Sequence, residues 1–378
     1  MIRYILLTLT AIIFISLSKV YADTPTYSCE IRNCSFVSSQ VFEFDLYLVQ
    51  SGTTAFELAG FNTGILLNTG FVNGGTITPS LLSGSELNAS QVPQNIAYDA
   101  AYRCVKIAPR TPPRDYVSGL TSGTLISSTT GTKVCRVRLT NSVDFGNDPL
   151  SYSWSMNLMP YHTVVAAYIP GTTRPVNVAV TSATSHSKPE NITLFLEGLY
   201  VTGTGNHKAL DESGYHFPGP VADVITVKLA QAIYPFSTAY TFANTMLYTN
   251  GKCSLSVPGS LSGSYFIVIN HRNSVETWSS NPVSFASGTV NYDFSNAASQ
   301  AFGNNLKSLG NGLFAIYGGE VTQDGVVDGS DMAIVDNAST ALMHGYLVSD
   351  VNGDSVVDGS DMALVDNNST SIISVQKP

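Results

Sequence analysis

Charged side chains are scarce in this sequence of 378 residues. Asp, Glu, Lys and Arg together make up 12% of it, about half of the usual share. Long apolar runs are also missing after the N-terminal segment, because no later stretch approaches the ~18 residues that a membrane-spanning helix needs. We therefore expect no transmembrane span in the mature chain.

Motifs of common enzyme classes are absent as well. The six histidines show no HExxH or other paired spacing, no GxSxG elbow occurs, and the acids before residue 318 are scattered singly. The densest polar and aromatic cluster comprises residues 270–273, Glu276 and Trp278. It is typical of a hydrogen-bonded strand end, with a functional site as the alternative. The sequence therefore predicts a protein without catalytic residues.

The negative charge is concentrated at the C-terminal end. Residues 1–318 hold 17 acids and 17 bases and sum to zero, whereas ten acids and one base follow them, which gives the whole formal net charge of −9. A block this acidic repels itself unless something neutralises it. Nucleic acid is therefore not an expected partner, whereas a divalent cation is.

The N-terminus has the three parts of a secretory signal peptide. A basic start at Arg3 precedes an apolar stretch over residues 5–17, and Val20 and Ala22 form a small-residue cleavage site. We expect residues 1–22 to be removed and the mature chain to be secreted, either extracellular or at the cell surface. A retained anchor is the alternative.

Five cysteines are present, without CxxC or Cys/His metal spacing. Export permits disulfides, so one or two bridges are expected among Cys29, Cys34, Cys104 and Cys135, with the pairing left open. Cys253 is expected to be a buried, small apolar residue.

Alternating apolar and polar residues predict antiparallel β-sandwiches over most of the chain. Clear examples are residues 41–48 and 224–229, and turn residues interrupt the pattern about every ten positions. Further strands are predicted at 193–200 and 264–269. Three aromatic residues are candidates for stacking on sugar rings, but we expect them in the sandwich core. They are Tyr152, Trp154 and Tyr161.

The domain prediction follows from these patterns. After the signal peptide, residues 23–187 form one β-sandwich, and a polar linker over 185–189 leads to a second sandwich over 190–295. The acidic tail, residues 318–374, forms a small α-helical domain. The predicted fold class is therefore mostly β, with two sandwiches followed by a helical domain.

The tail contains an internal repeat. Residues 326–337 recur as 356–367, a period of thirty with one conservative change in twelve positions. Each copy predicts a loop followed by a short helix, with Asp331 or Asp361 in the first turn, where a carboxylate suits the helix dipole. Each helix has only a narrow apolar face, so we expect the two repeats to pack together about a pseudo-two-fold axis.

The second loop, residues 350–361, has oxygen ligands at the spacing of an EF-hand calcium loop. The predicted ligands are Asp350, Asn352, Asp354, the Val356 carbonyl, Asp358 (directly or through water) and Asp361. Two positions depart from the EF-hand consensus: Ser355 replaces the turn glycine, at some cost in backbone strain, and Asp361 replaces the terminal Glu.

The first loop, residues 320–331, is less regular. Its predicted ligands are Glu320, Thr322, Asp324, the Val326 carbonyl, Asp328 and Asp331. Glu320 is longer than the expected Asp and Thr322 offers only a hydroxyl, so we expect weaker binding than in the second loop. Six or seven flexible oxygens favour calcium over magnesium. The sequence therefore predicts two structural calcium sites.

Paired loops of this kind, each followed by a short helix with an apolar face, resemble the dockerin family over residues 318–374. The resemblance implies a pair of half EF-hands that binds two calcium ions and docks onto a cohesin β-sandwich. It also implies recognition through loop positions ten and eleven, which are 329–330 and 359–360 here. The acidic helix ends at Asp336 and Asp366 depart from the basic pattern of that family, which leaves the partner open.

The β units carry looser resemblances. Residues 56–75 are similar to the early strands of cohesin-like and carbohydrate-binding sandwiches, and residues 263–271 to a strand of immunoglobulin-like or transthyretin-like sandwiches. The whole arrangement resembles multi-domain secreted proteins of the Bacteroidota.

Together these patterns predict an exported, calcium-binding, non-catalytic protein. Its tail would dock onto a cohesin-like partner or onto a second copy, while the sandwiches bind polysaccharide or protein. One alternative is an accessory or catalytic component of polysaccharide degradation, although glycoside hydrolases need two carboxylates across a cleft and no such pair is evident. Another alternative is a matrix or adhesion protein.

Overall fold

The computed structural model describes residues 24–108, 123–157, 161–168, 175–177, 179–180, 186–286 and 289–378. The predicted signal peptide and the proline-rich segment 109–115 lie outside these residues. Across the described chain 45% of residues are in strands and 12% in helices, which confirms that the protein is mostly β. No described helix is long and apolar enough to cross a membrane.

The first β unit forms two facing sheets. In the described part of the chain, one sheet has the order β11-β1-β2-β7-β4 and the other β10-β9-β3-β6-β5, with β8 also paired to β3. A four-residue helix, α1 (Thr69–Val72), follows β3. The strands are β1 (Thr26–Ser38), β2 (Val41–Gln50), β3 (Glu57–Leu67), β4 (Ile77–Leu82), β5 (Ile96–Asp99), β6 (Cys104–Ile107), β7 (Thr132–Asn141), β8 (Tyr152–Trp154), β9 (Val164–Tyr168), β10 (Pro175–Asn177) and β11 (Ala179–Val180).

The alternation along β1 and β2 explains this packing. Tyr27, Cys29 and Ile31 are fully buried in the core between the sheets, because residues two apart share one face of a strand. Glu30 and Arg32 lie on the other face, where their side chains pair at 2.6 Å. The first unit, called the first sandwich below, therefore has an apolar interior and an ion-paired outer surface.

The second β unit, called the second sandwich, also has two facing sheets. Within the described residues these have the orders β19-β12-β23 and β18-β17-β20-β21, with β22 paired to β20, beside two short hairpins. The strands are β12 (Lys188–Thr193), β13 (Tyr200–Val201), β14 (Gly205–Asn206), β15 (Leu210–Asp211), β16 (Gly214–Tyr215), β17 (Val221–Gln231), β18 (Thr238–Tyr248), β19 (Lys252–Val257), β20 (Ser264–His271), β21 (Ser274–Trp278), β22 (Val283–Ser284) and β23 (Asn291–Asp293).

Two local predictions in this region are wrong. The strand predicted over 193–200 ends at Thr193, and a 3-10 turn at Glu197–Leu199 follows. Residues 186–187, placed in a polar linker, are buried. His186 Nδ1 accepts a 2.9 Å hydrogen bond from Cys29 N, because this segment runs beside β1 and completes its backbone hydrogen bonding.

The disulfides expected in the N-terminal region are absent, since all five cysteines are free thiols. Cys29 on β1 and Cys135 on β7 are separated by β2. Strands two positions apart in a sheet lie ~9.6 Å from each other, beyond the ~7 Å Cα separation that a disulfide spans. Cys104 lies in the opposite sheet. Cys253 is fully buried in the second core, as predicted.

The C-terminal end is a small helical unit, called the C-terminal module (residues 318–378). A hairpin, β24 (Lys307–Gly310) and β25 (Leu313–Ala315), leads into it, and α2 (Gly329–Thr340) and α3 (Gly359–Thr370) follow. Val335 of α2 and Val365 of α3 are fully buried in one core. Val327 N bonds Ile373 O at 2.9 Å and Val357 N bonds Met343 O at 3.2 Å, so the repeats cross-pair about a pseudo-two-fold axis.

Candidate metal site

The second loop places its first and last carboxylates in the interior. Asp350 and Asp361 are both fully buried. Asp350 accepts amide hydrogen bonds from Gly353 at 2.8 Å and from Asp354 and Ser355 at 3.1 Å. Asp361 accepts amides from residues 351, 352 and 358 at 2.7–3.0 Å. The loop therefore curls around two buried carboxylates that lie on the same side of its backbone.

The remaining predicted ligands of this loop lie on its outer side. Asn352 Nδ2 donates to Asp354 Oδ2 at 2.9 Å, and Asp358 caps α3 by accepting from Ser360 N at 2.7 Å. Val356, whose carbonyl was predicted to bind, has its amide bonded to Asp354 Oδ1 at 2.9 Å. These side chains are thus held within the loop by mutual hydrogen bonds.

The first loop repeats this arrangement with a longer acid. Glu320 and Asp331 are both buried, Asp331 completely. Glu320 accepts amides from Asp324 at 3.1 Å and Gly325 at 3.2 Å, the loop positions that Asp354 and Ser355 occupy in the second loop. Thr322 Oγ1 lies 3.1 Å from both buried carboxylates. The extra methylene of Glu320 thus reaches the same amides that Asp350 reaches.

The outer residues of the first loop also match. Asp328 caps α2 by accepting from Ser330 N at 2.7 Å, and Asp324 Oδ1 accepts from the amide of Val326 at 3.0 Å. The backbone turn uses Gly325, with φ of 101°, where the second loop has Ser355 with φ of 74°. The strain predicted for Ser355 is therefore present in its left-handed backbone.

Burial disfavours the charged forms of these inner carboxylates. It raises the pKa of Asp350 to about 6, an effect that Asp361 and Asp354 reinforce and Arg272 opposes. Burial also raises the pKa of Asp361 and of Glu320. In contrast, hydrogen bonds from Ser330 and Ser360 lower the pKa of Asp328 and Asp358. Crowded, buried acids of this kind are stabilised by a cation.

The donor chemistry fits a hard divalent cation. Each loop offers carboxylates, one neutral side-chain oxygen and a backbone carbonyl, and calcium takes six to eight such oxygens. Among the described residues, no three Asp, Glu, His or Cys side chains form a ready-made metal cluster. The reason is visible in the hydrogen bonds. The inner carboxylates bind loop amides, whereas the outer ones either cap helices or bind loop amides of their own.

The sequence did not reveal the environment of the second loop. Two residues of the 270–273 segment, which was interpreted as a strand end, reach into the C-terminal module: Arg272 Nη1 and Asn273 Nδ2 donate to Asp350 O at 2.8 and 2.9 Å. The rest of the cluster is the predicted hydrogen-bonded strand end, because Glu276 bonds Trp278 at 2.8 Å and Asn270 at 2.9 Å, and His271 bonds Ser274 at 2.9 Å. The density of polar groups pointed to these residues in the sequence, but it did not show that they contact the loop at Asp350.

One buried hydrogen-bond relay has the connectivity of a catalytic triad. His271 Nε2 lies 3.1 Å from Asp223 Oδ2, and His271 Nδ1 lies 2.9 Å from Ser274 Oγ. Ser274 is 2% exposed, so a substrate cannot reach its hydroxyl. Burial raises the pKa of Asp223, but His271, Arg272 and Tyr346 together lower it to about 2. The relay therefore stabilises the fold at this strand end.

The aromatic residues considered for sugar stacking do not form one exposed face. Tyr152 is buried, with its hydroxyl 2.7 Å from Ser187 Oγ and from Ser256 Oγ. Trp154 Nε1 donates to Ser187 O at 2.9 Å. Tyr161 instead bonds Asp99. Two of the three aromatic side chains thus support the junction of the sandwiches, as a core location predicts.

The described residues form several concave surfaces, and two of them differ clearly in the polarity of their lining. A polar cleft of about 650 Å³ lies between the sandwiches, with Glu30 and Arg32 on one wall and Tyr240 and Ser260 on the other. A more apolar groove of about 390 Å³ lies on the C-terminal module. The lining of this groove, called the module groove below, is Ile334, Asn337, Ala338, Met343, Leu347, Val348 and Ser349.

Comparisons with known proteins give weak likenesses. No protein-family model matches the chain, and no curated protein does. A cohesin module from a Clostridium perfringens family 33 glycoside hydrolase is 13% identical over 41% of this chain and 90% of that one, with a TM-score of 0.23.

Two further solved structures match over longer stretches. The type II cohesin dyad of the adaptor scaffoldin of Acetivibrio cellulolyticus is 9% identical over 71% and 97% of the two chains, with a TM-score of 0.26. The major pilin SpaD of Corynebacterium diphtheriae is 8% identical over 71% and 64%, with a TM-score of 0.22. Similarities at these TM-scores assign neither a family nor a function to this chain.

Proposed function

We propose that this is an exported, non-catalytic, calcium-binding protein whose C-terminal module is dockerin-like and docks onto a protein partner. Its sandwiches would present a binding surface for polysaccharide or protein at the cell surface. The observation that carries the proposal is the pair of loops, each of which holds two buried carboxylates at its first and twelfth positions. Calcium, when bound there, supplies the positive charge that this acidic module lacks.

Calcium binding is tested by titration of the metal-free full chain, followed by native mass spectrometry and calorimetry. We expect two ions, with the tighter one lost in Asp361→Asn and the weaker one lost in Asp331→Asn. Asp366→Asn is the matched control, because Asp366 is exposed on α3 outside both loops. No binding at about 1 mM calcium, the upper range for extracellular sites, would refute the proposed metal role.

The module groove is the proposed docking surface. Because the repeats are thirty residues apart, Ala338 and Val348 in the groove correspond to Asn368 and Gly318 on the opposite face. That opposite face is filled, since Glu197 Oε2 of the second sandwich accepts from Asn368 Nδ2 at 2.7 Å and from Gly318 N at 3.0 Å. Val348 is 48% exposed and Met343 44% exposed, which leaves the groove face for an external partner.

The partner would be a cohesin-like domain or a second copy of this chain. Light scattering of the full chain with calcium and with chelator tests self-association, and Met343→Asp should abolish any calcium-dependent dimer or chain. Leu342→Asp is the control, because Leu342 is 75% exposed and lies outside the groove. A monomeric mass in both conditions, together with no calcium-dependent binding to immobilised cohesin modules, would refute the docking role.

The cleft between the sandwiches is the proposed surface for polysaccharide. Ser28 Oγ is buried without a hydrogen-bond partner and lies in the cleft wall with Glu30. Tyr240 is 36% exposed and offers a ring face with a hydroxyl, a combination that suits a polyhydroxylated ligand. Clefts of this size at domain junctions are common ligand sites.

Retardation in polysaccharide-containing gels tests this binding. Tyr240→Ala should remove retardation by the polysaccharide that is bound. Tyr234→Ala should not, because Tyr234 is 83% exposed and does not line the cleft. The same polysaccharides are then assayed for released reducing ends. Release by the purified chain would contradict a non-catalytic role.

A further inference from the structure

The second sandwich holds the backbone of the second loop from one side. Arg272 Nη1 donates to Asp350 O at 2.8 Å and also to Leu347 O. Asn273 Nδ2 donates to Asp350 O at 2.9 Å and to Val348 O at 3.2 Å. Asn273 is 1% exposed, so its amide is committed to the module. Two adjacent sandwich residues therefore fix the carbonyl of the first loop position.

The next loop residues are held by another part of the sandwich. His207 Nε2 lies 2.8 Å from Asn352 O, and Leu210 N donates to Gly353 O at 2.9 Å. A Cβ on Gly198 would overlap the Val351 carbonyl, which shows how closely the two surfaces approach. Residues 350–353, which include the first and third ligand positions, are thus enclosed by the sandwich.

The first loop has no such support. Its backbone amide at Val327 bonds Ile373 O at 2.9 Å, and its carbonyl at Gly325 accepts from Val375 N at 2.8 Å. Both partners belong to the module itself. Within the described residues, no sandwich side chain donates to a backbone carbonyl of the loop 320–331. The two loops are therefore similar inside the module but differ in what surrounds them.

Arg272 is itself fixed in place. Its guanidinium lies 4.4 Å from the centre of the Tyr346 ring, and its Nε lies 3.4 Å from the buried carboxylate of Asp223. Tyr346 OH donates to the other oxygen of Asp223 at 2.5 Å. The support for the loop thus extends from the module to Asp223, near the start of β17.

On the basis of the proposed calcium binding, we propose that the second sandwich is part of the second calcium site. Asn273, Arg272 and His207 are positioning residues that hold the 350–353 backbone, so calcium binding at this loop and closure of the module against the sandwich form one coupled step. The first loop binds calcium without this coupling. Outer partners that orient metal ligands commonly contribute 10–100-fold to affinity, and the coupling is reciprocal.

Asn273→Ala in the full chain is the principal test, because it removes two hydrogen bonds and changes no charge. The first loop is silenced with Asp331→Asn, and calcium alone is titrated by calorimetry. We expect the second loop to bind at least tenfold more weakly than in the same background without Asn273→Ala. Asn270→Ala is the matched control, because Asn270 bonds Glu276 at 2.9 Å and not the module.

Hydrogen exchange gives a second readout that does not depend on affinity. The Leu210 amide donates across the interface, so calcium should slow its exchange at least tenfold in the parent and in Asn270→Ala, and less in Asn273→Ala. His207→Gln, which keeps one donor at the Nε2 position, is a second variant if Asn273→Ala fails to fold, and it should retain more affinity than His207→Ala.

The outcomes separate this inference from the proposed function. If the parent binds no calcium, the proposed function fails and this inference fails with it. If the parent binds calcium but Asn273→Ala and Asn270→Ala bind within twofold of each other at the second loop, only the coupling is refuted. Binding at the first loop is measured alone in an Asp361→Asn background. If Asn273→Ala weakens calcium binding there as much as at the second loop, the proposed difference between the two loops is refuted.

Discussion

At the scale of single residues, Ser355 shows how the second loop departs from an unstrained turn. Its φ of 74° is a conformation that glycine adopts freely and other residues adopt at a cost of about 1 kcal/mol. Gly325 occupies the corresponding position of the first loop. The sequence predicted this difference, because a one-residue departure from a known loop pattern can be detected without any knowledge of tertiary contacts.

Ser355→Gly should therefore stabilise the protein by about 0.5–1 kcal/mol and tighten calcium binding at the second loop. The measurement is urea unfolding together with a calcium titration. Ser355→Ala is the control, because it removes the hydroxyl but keeps the strained backbone. Equal stability of the glycine and alanine variants would show that strain at this position does not matter.

Glu190 is a second residue whose effect on stability can be predicted, because its carboxyl group is buried. It is 2% exposed and its Oε1 has no hydrogen-bond partner, so burial raises its pKa to about 8. A buried acid with a raised pKa favours the protonated form, and its contribution to stability is lost as pH rises from about 4.5 to about 8.

Glu190→Gln should match the parent near pH 4 and exceed its stability at pH 8 by on the order of a few kcal/mol. Urea unfolding across this pH range is the measurement. Glu212→Gln, which changes an exposed acid of the same sandwich, should show no such divergence. Parallel pH profiles for the parent and Glu190→Gln would contradict a raised pKa.

At the scale of elements, α2 and α3 differ at one informative position. Asn368 of α3 is 1% exposed and donates to Glu197 Oε2 at 2.7 Å and to Gly318 O at 3.0 Å. Its counterpart in α2 is Ala338, in the module groove. The two helices are otherwise nearly identical in sequence. The asparagine is therefore found in the helix that faces the sandwich, and the alanine in the helix that faces the groove.

Asn368→Ala should destabilise the chain by about 1–3 kcal/mol, since it removes one of the donors to the Glu197 carboxylate and leaves the Gly318 carbonyl without its side-chain donor. Asn367→Ala, one position earlier and exposed, should change stability by less than about 0.5 kcal/mol. Denaturant unfolding of the two variants is compared. Equal effects would indicate that Asn368 does not anchor α3.

The strands were more predictable than the contacts between elements. The expected segments 41–48, 224–229 and 264–269 lie inside β2, β17 and β20, because strict alternation is a local signal. The expected strand 193–200 ends early because residues 197–199 turn toward the module. The hydrogen bond from Asn273 to Asp350 joins residues 77 positions apart, and no local pattern encodes such a pair.

At the scale of the whole molecule, the units share packing. Phe36 of the first sandwich contacts Tyr248 of the second at 6.1 Å between ring centres. Trp278 of the second sandwich lies in one apolar cluster with Val375 of the module. A ligand that stabilises the module should therefore also stabilise the second sandwich, although the sequence predicted a linear series of domains.

The two tryptophans allow this coupling to be measured, because Trp154 reports on the first sandwich and Trp278 on the second. In Trp154→Phe, calcium at about 100 times its dissociation constant should add about 2.7 kcal/mol to the unfolding transition that Trp278 reports. In Trp278→Phe, the calcium-dependent increase in the free energy of unfolding that Trp154 reports should be smaller. A Trp278 transition that is unchanged between calcium and chelator would contradict the coupling.

The enclosure of residues 350–353 by the second sandwich also has a mechanical consequence. Several hydrogen bonds to backbone groups join the module to the sandwich directly, and they form a seam between the two units. A pulling force applied at the module groove would therefore pass through this seam, whereas a flexible linker would extend instead. The hydrogen bonds across the seam would share the force and resist pulling together. A protein held by its last sixty residues would thus transmit tension into its β-sheets as a stiff connector.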